Sequence, residues 1–114
     1  MKKAIALLLA LVMVFALCAC GGDKGTADNG EKVVKIGVFE PASGDSGAGG
    51  KKEMLGMQYA NQETPTVEIG GETYKVELVY SDNGSDSAKA VSAASKLVNE
   101  KVSLVLGSYG SGVS

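Results

Sequence analysis

Val33-Val34-Lys35-Ile36-Gly37-Val38-Phe39-Glu40, closed by Pro41 and followed by Ala42-Ser43-Gly44-Asp45-Ser46-Gly47-Ala48-Gly49-Gly50, decides the fold of this chain. Short β-branched and apolar runs ended by proline read as buried strands. The stretch Ala42–Gly50 holds glycines and serines almost throughout and reads as a loop. Helical spacing begins at Lys51 and runs to Gln62, with Met54, Leu55, Gln58, Tyr59 and Gln62 near one side. Gly56 and Ala60 stand four apart in that helix, a spacing that lets a helix lie close to a sheet. An interior glycine costs up to about 1 kcal/mol relative to alanine, so a packing role is expected of Gly56.

Outward from this unit the pattern changes period. Val67 and Ile69 alternate before Gly70-Gly71, and Tyr74, Val76, Leu78 and Tyr80 alternate after it. A Gly-Gly pair between alternating runs is a hairpin signal. Ser81-Asp82-Asn83-Gly84-Ser85 ends the strand. Its acidic and amide side chains, without the glycine and glutamate spacing of a calcium loop, read as a solvated turn, and Ser85 or Asp86 as the cap of the next helix. Ala90, Val91, Ala94, Leu97 and Val98 follow at the 3.6 period, with Lys89, Ser92 and Lys96 facing outward. Val102–Leu106 (VSLVL) is a second buried strand, and 107–114 (GSYGSGVS) a second Gly/Ser loop.

The order strand, helix, hairpin strand, helix, strand predicts an α/β fold: the start of a doubly wound, parallel-sheet lobe. The alternation stops where a third helix would begin, so residues 33–114 read as the N-terminal part of a larger lobe.

The first residues, MKKAIALLLALVMVFALCACGG, form a secretory signal: Lys2 and Lys3, then an apolar core from Ala4 to Leu17, then small residues. Leu17-x-Ala19-Cys20 resembles the bacterial lipobox, which marks Cys20 for diacylation after cleavage of residues 1–19; cleavage after Ala19 without lipid is the alternative. Cys18 fits less well, because bulky Leu17 would sit beside the cut. Two acyl chains hold a protein stably on a membrane where one does not. Residues 20–32, rich in glycine and charge, then read as a flexible tether.

Composition excludes several function classes. The net charge is −2 and no basic stripe appears, which argues against nucleic acid as a partner. Both cysteines lie in the export segment, so the mature domain has no internal disulfide. With no histidine in the chain, imidazole metal ligands and imidazole general bases are absent from it. The P-loop, G-x-G-x-x-G and G-x-S-x-G patterns all fail on spacing, and no cofactor or metal is expected.

In open α/β sheets, ligands bind beyond the carboxyl ends of the strands. Both Gly/Ser loops fall there. Glycine lets backbone N–H groups approach a ligand, and serine adds a hydroxyl. If Ser111 opened a following helix, its hydroxyl and the neighbouring amides would favour a carboxylate. Ordinary turn chemistry remains the alternative for either loop alone.

Lys35-Ile36-Gly37-Val38, Pro41-x-Ser43-Gly44, Gly56-x-x-x-Ala60-Asn61, Tyr80-x-Asp82 and Val105-Leu106-Gly107-x-x-x-Ser111 run in the order seen in branched-chain amino-acid-binding proteins. The chain resembles these substrate-binding lipoproteins of ABC importers from Lys35 to Ser114. The resemblance implies a type I periplasmic-binding fold of two lobes closing over an amino acid, and no catalysis. It further implies an ABC permease as partner, and a protein anchored to the outer face of the bacterial cytoplasmic membrane by its N-terminal lipid. It assigns Ser111 to the ligand carboxylate, with Ser43 and Gly44 lining the cleft and Tyr109 and Gly110 beside Ser111. Several family members carry an aromatic side chain where Gly49 falls. The glycine would leave that wall open and make room for a larger or more polar ligand. Two other readings stay open: the binding region of a sensory receptor, and an exported α/β hydrolase.

Overall fold

The computed structural model describes residues 30–114. The signal segment, Cys20 and most of the tether lie outside the described residues. Val33–Glu40 forms β1, and Pro41, with no N–H to donate, ends it. Helix α1 spans Gly47–Glu63, strands β2 and β3 span Thr66–Ile69 and Glu72–Asp82, helix α2 spans Ser87–Asn99 and β4 spans Leu104–Leu106.

The sheet order is β2-β3-β1-β4. β1 runs parallel to β3 and to β4, while β2 pairs antiparallel with β3 through the Gly70-Gly71 hairpin. The chain leaves β1 through α1 to reach β3 on one side, then crosses back through α2 to β4 on the other side. Right-handed crossovers in opposite directions place the two helices on opposite faces of the sheet. Side chains follow: Ile36, Val76, Leu78 and Leu106 line a groove with Met57 and Ala60 of α1. On the other face, Leu97 of α2 packs over Gly37, where even a Cβ would lie 3.1 Å from its methyl. The doubly wound α/β arrangement expected from the sequence is therefore present. Val38, Ala90, Ala93 and Leu97 form its buried apolar core.

Both helices differ in phase from the sequence reading. α1 begins at Gly47, so Gly47–Gly50 is its first turn and not part of the loop. Glycine is a poor helix former, but a tertiary constraint overrides that here. Gly50 lies directly on the Pro41 carbonyl, at a separation no Cβ could tolerate. With Gly47 and Gly50 buried, Met54, Met57 and Asn61 continue the inward stripe. Leu55 and Tyr59 turn to solvent at 64% exposure. Gly56 is exposed, with nothing within 4 Å of where its Cβ would be, so it has no close-packing role. In α2 the buried stripe is Ala90, Ala93 and Leu97, while Val91 and Val98 are exposed.

Candidate ligand site at the strand ends

The register aligns the carboxyl ends of the central strands: Glu40 of β1 pairs with Asp82 of β3, and Val38 pairs with Leu106 of β4. Because the chain turns in opposite directions on leaving β1 and β3, a crevice opens where these ends meet. Three segments converge there: 41–46 after β1, 83–86 after β3 and 107–114 after β4.

Asp82 ties the first two together. Its Oδ1 accepts from the N–H groups of Ala42 at 2.7 Å and Gly84 at 2.8 Å, and its Oδ2 accepts from the Ser43 hydroxyl at 2.7 Å. Burial pushes the Asp82 carboxyl up, but these donors outweigh it and hold the group below the ordinary carboxylate range. Ser85 completes the joint: its hydroxyl donates to the Ser43 carbonyl at 3.1 Å and accepts from the Ser46 N–H at 3.0 Å. Gly44 packs against the Gly84 carbonyl. Asp86 caps α2, accepting from the Lys89 N–H at 2.8 Å.

Asn83 links the second segment to the third and to the end of β1, and is 0% exposed. Its Nδ2 donates to the Ser108 hydroxyl at 3.0 Å and the Phe39 carbonyl at 3.4 Å, and its Oδ1 accepts from the Ser85 N–H at 3.1 Å. The polar cluster after β3 is thus a structural knot buried at Ser81, Asn83 and Gly84, and only Asp82 and Asp86 keep the exposure expected of a solvated turn. The signal for it was present in the run of short polar side chains, but its partners lie far away in sequence.

Glu40 holds the third segment. It is 1% exposed, and its Oε2 accepts from the Tyr109 N–H at 2.7 Å. Its Oε1 is buried without a partner among the described residues. Burial pushes the Glu40 carboxyl above its ordinary range; the Tyr109 N–H opposes this, and Glu53 of α1 adds to the rise.

Of the residues singled out in the sequence, Ser43 and Gly44 lie in the first segment, and Tyr109, Gly110 and Ser111 in the third. The Ser43 hydroxyl is engaged by Asp82. Gly110, at φ +104°, stands beside the Ser46 hydroxyl, which links the two segments directly. Ser111 is exposed and lies in a turn closed by the Val113 N–H donating to the Gly110 carbonyl at 3.4 Å. Among the described residues no helix starts at Ser111, so any affinity for an anion there rests on hydroxyl and amide groups. The space beside Gly49 is not open: the Tyr109 ring lies over it in direct contact. Tyr109 itself is 45% exposed.

A mostly parallel, doubly wound sheet with polar loops and a half-exposed ring at its switch point is the arrangement in which open α/β folds bind ligands. The chain belongs to the periplasmic binding protein family, whose model matches residues 33–114. It is 33% identical over 103 residues to a Leu/Ile/Val-binding protein homologue of Brucella abortus, covering 90% of this chain and 26% of that protein. The chain thus spans about a quarter of the curated relatives it matches. Its fold is similar to the leucine-binding protein LivK of Thermotoga maritima, with a TM-score of 0.64 and 38% identity over 71% of this chain and 22% of the other. It is also similar to LivJ of Streptococcus pneumoniae, the branched-chain amino acid transporter substrate-binding protein solved with isoleucine. There the TM-score is 0.61, with 35% identity over 72% of this chain and 24% of the other.

Proposed function

We propose that this chain supplies the opening part of the ligand-binding lobe of an extracytoplasmic solute-binding lipoprotein. That protein captures an amino acid, branched-chain or related, and delivers it to an ABC permease. The observation that carries this reading is the convergence of three loops at the switch point, with Tyr109, Gly110 and Ser111 presented on a segment held by Glu40. Family membership and likeness to leucine- and isoleucine-binding proteins support it.

Ser111 offers its hydroxyl to the ligand carboxylate, with Gly110 leaving the backbone beside it accessible. Ser43 and Gly44 shape the opposite rim. The ligand is held and released without covalent change, so no cofactor or metal is needed. A diacylated Cys20 keeps the binder on the outer face of the membrane, where tethering raises its effective concentration at the permease.

Calorimetric titration of the complete protein with the twenty amino acids tests the reading. Saturable binding of leucine, isoleucine or valine is expected; no binding by any amino acid would overturn it. Mass spectrometry of the exported protein tests the anchor. An acylated Cys20 at the N-terminus is expected, and an unmodified Cys20 would remove it.

A further inference from the structure

We infer that Lys96 guards the outer edge of β3, and that the partner it turns away is the same edge of a second copy of this chain. The inference concerns association and does not depend on the ligand.

β3 has 11 residues, and β2 covers only its start, pairing Thr66–Ile69 with Glu72–Lys75. Beyond Lys75 the outer side of β3 is a sheet edge, while β1 pairs with the inner side as far as Asp82. Along a strand the main-chain groups of alternate residues point to opposite sides. The Lys75 N–H donates to the Lys32 carbonyl and so faces β1, whereas the Val76 N–H donates outward to the Pro65 carbonyl at 2.8 Å. Leu78, Tyr80 and Asp82 share the outward phase of Val76. At Tyr80 the carbonyl accepts from the Lys96 ammonium of α2 at 2.8 Å. Polar grooves flank the edge, lined by Gln58 and Gln62 on the α1 face and by Ser92 and Lys96 on the α2 face, and no segment among the described residues covers it.

An open edge is a template for another strand, and a lysine placed on it is a common device against such pairing. This edge matches itself. A two-fold axis through Tyr80 sets two β3 edges antiparallel, with Tyr80 opposite its counterpart and Leu78 opposite Asp82. The central pair is aromatic against aromatic, and no like charges stand opposite each other. Its two main-chain hydrogen bonds run from the Tyr80 N–H of each copy to the Tyr80 carbonyl of the other. That carbonyl is the acceptor Lys96 occupies, so one side chain blocks both bonds of the pair.

The test is sedimentation equilibrium over a rising concentration series, on the complete protein without residues 1–20 so that no acyl chain drives association. Wild type, Lys96→Ala, Lys96→Arg and Lys51→Ala are compared. The dimer dissociation constant of Lys96→Ala is expected to fall at least about 10-fold below that of wild type, the scale of two net main-chain hydrogen bonds. Lys96→Arg keeps a donor at the edge and should behave as wild type. Lys51→Ala removes the same charge from exposed α1 and should also behave as wild type. Amide exchange at Leu78 and Tyr80 should slow as Lys96→Ala associates. A Lys96→Ala protein that stays monomeric at every concentration overturns the inference, as does equal association by Lys51→Ala. Growth into open-ended assemblies, or a dimer with unchanged exchange at Tyr80, overturns it as well, since either places the contact elsewhere than a closed β3 pair.

Discussion

The Glu40 carboxylate accepts a hydrogen bond from the Tyr109 backbone N–H across 69 positions of sequence, at 2.7 Å. The same carboxylate is 1% exposed, with Oε1 unpartnered among the described residues. One buried acid at the end of the central strand thus sets the position of the segment that carries Tyr109, Gly110 and Ser111. Burial raises its pKa, so the native state binds this proton more tightly than the unfolded chain does. The associated stability is fully present at pH values below the ordinary carboxylate pKa. It is lost as pH rises from there through the raised value. Glu40→Gln keeps an acceptor for Tyr109 and removes the titration. Its melting temperature should therefore gain on that of wild type as pH rises across that window. Parallel pH profiles for the two proteins would contradict the assignment.

Asp82 behaves in the opposite sense. Its donors hold its pKa below the ordinary range, so its contribution is present above the unfolded-state pKa and lost as pH falls through the native value. Asp82→Asn should flatten this acid limb in pH-dependent melts. It should also speed amide exchange at Ala42 and Gly84, whose N–H groups lose a charged acceptor. Asn83→Ala leaves the part-buried Ser85 N–H, Phe39 carbonyl and Ser108 hydroxyl short of a partner. A cost of about 1–3 kcal/mol in denaturant unfolding is expected for such a loss; an unaltered midpoint would remove Asn83 from the knot.

Two glycines of α1 make opposite predictions. Gly50→Ala drives a methyl into the Pro41 carbonyl and proline ring and should destabilise by about 1–3 kcal/mol. Gly56→Ala meets open space in the helix interior and should stabilise by about 0.5–1 kcal/mol. Chemical denaturation of both variants checks the pair. Destabilisation by Gly56→Ala would restore the close-packing role that its spacing to Ala60 suggested.

The strands and their order were legible because each carries its own local signal: β-branched and apolar runs at Val33–Glu40 and Val102–Leu106, and alternation around Gly70-Gly71, although the last run is a strand only at Leu104–Leu106 and is exposed there instead of buried. The helix phases were less so. In α1 the bulky residues Leu55 and Tyr59 pointed to the wrong face, because glycines that carry no hydrophobic signal dock on Pro41 and set the rotation. In α2 the buried stripe uses Ala93, while Val91 and Val98 stay outside. For the site, Gly/Ser loops at matching strand ends picked out segments that the fold brings together at the carboxyl end of the sheet. Glu40 and Asn83 escaped notice because their meaning lies in contacts with residues 108 and 109, tens of positions away. Gly49 looked like an open wall, since a sequence shows a missing side chain but not the Tyr109 ring that fills its place.

The central claim is that the segment held by Glu40 presents Ser111 to the carboxylate of an amino acid. The most direct measurement is calorimetric titration of the complete protein and its Ser111→Ala variant with leucine, isoleucine and valine. The account predicts saturable binding by wild type and a weakening of about 1–3 kcal/mol in the variant, the scale of one hydrogen bond to a charged group. Equal affinity in both proteins would remove Ser111 from the site, and the absence of binding by any of the three in wild type would contradict the branched-chain assignment itself.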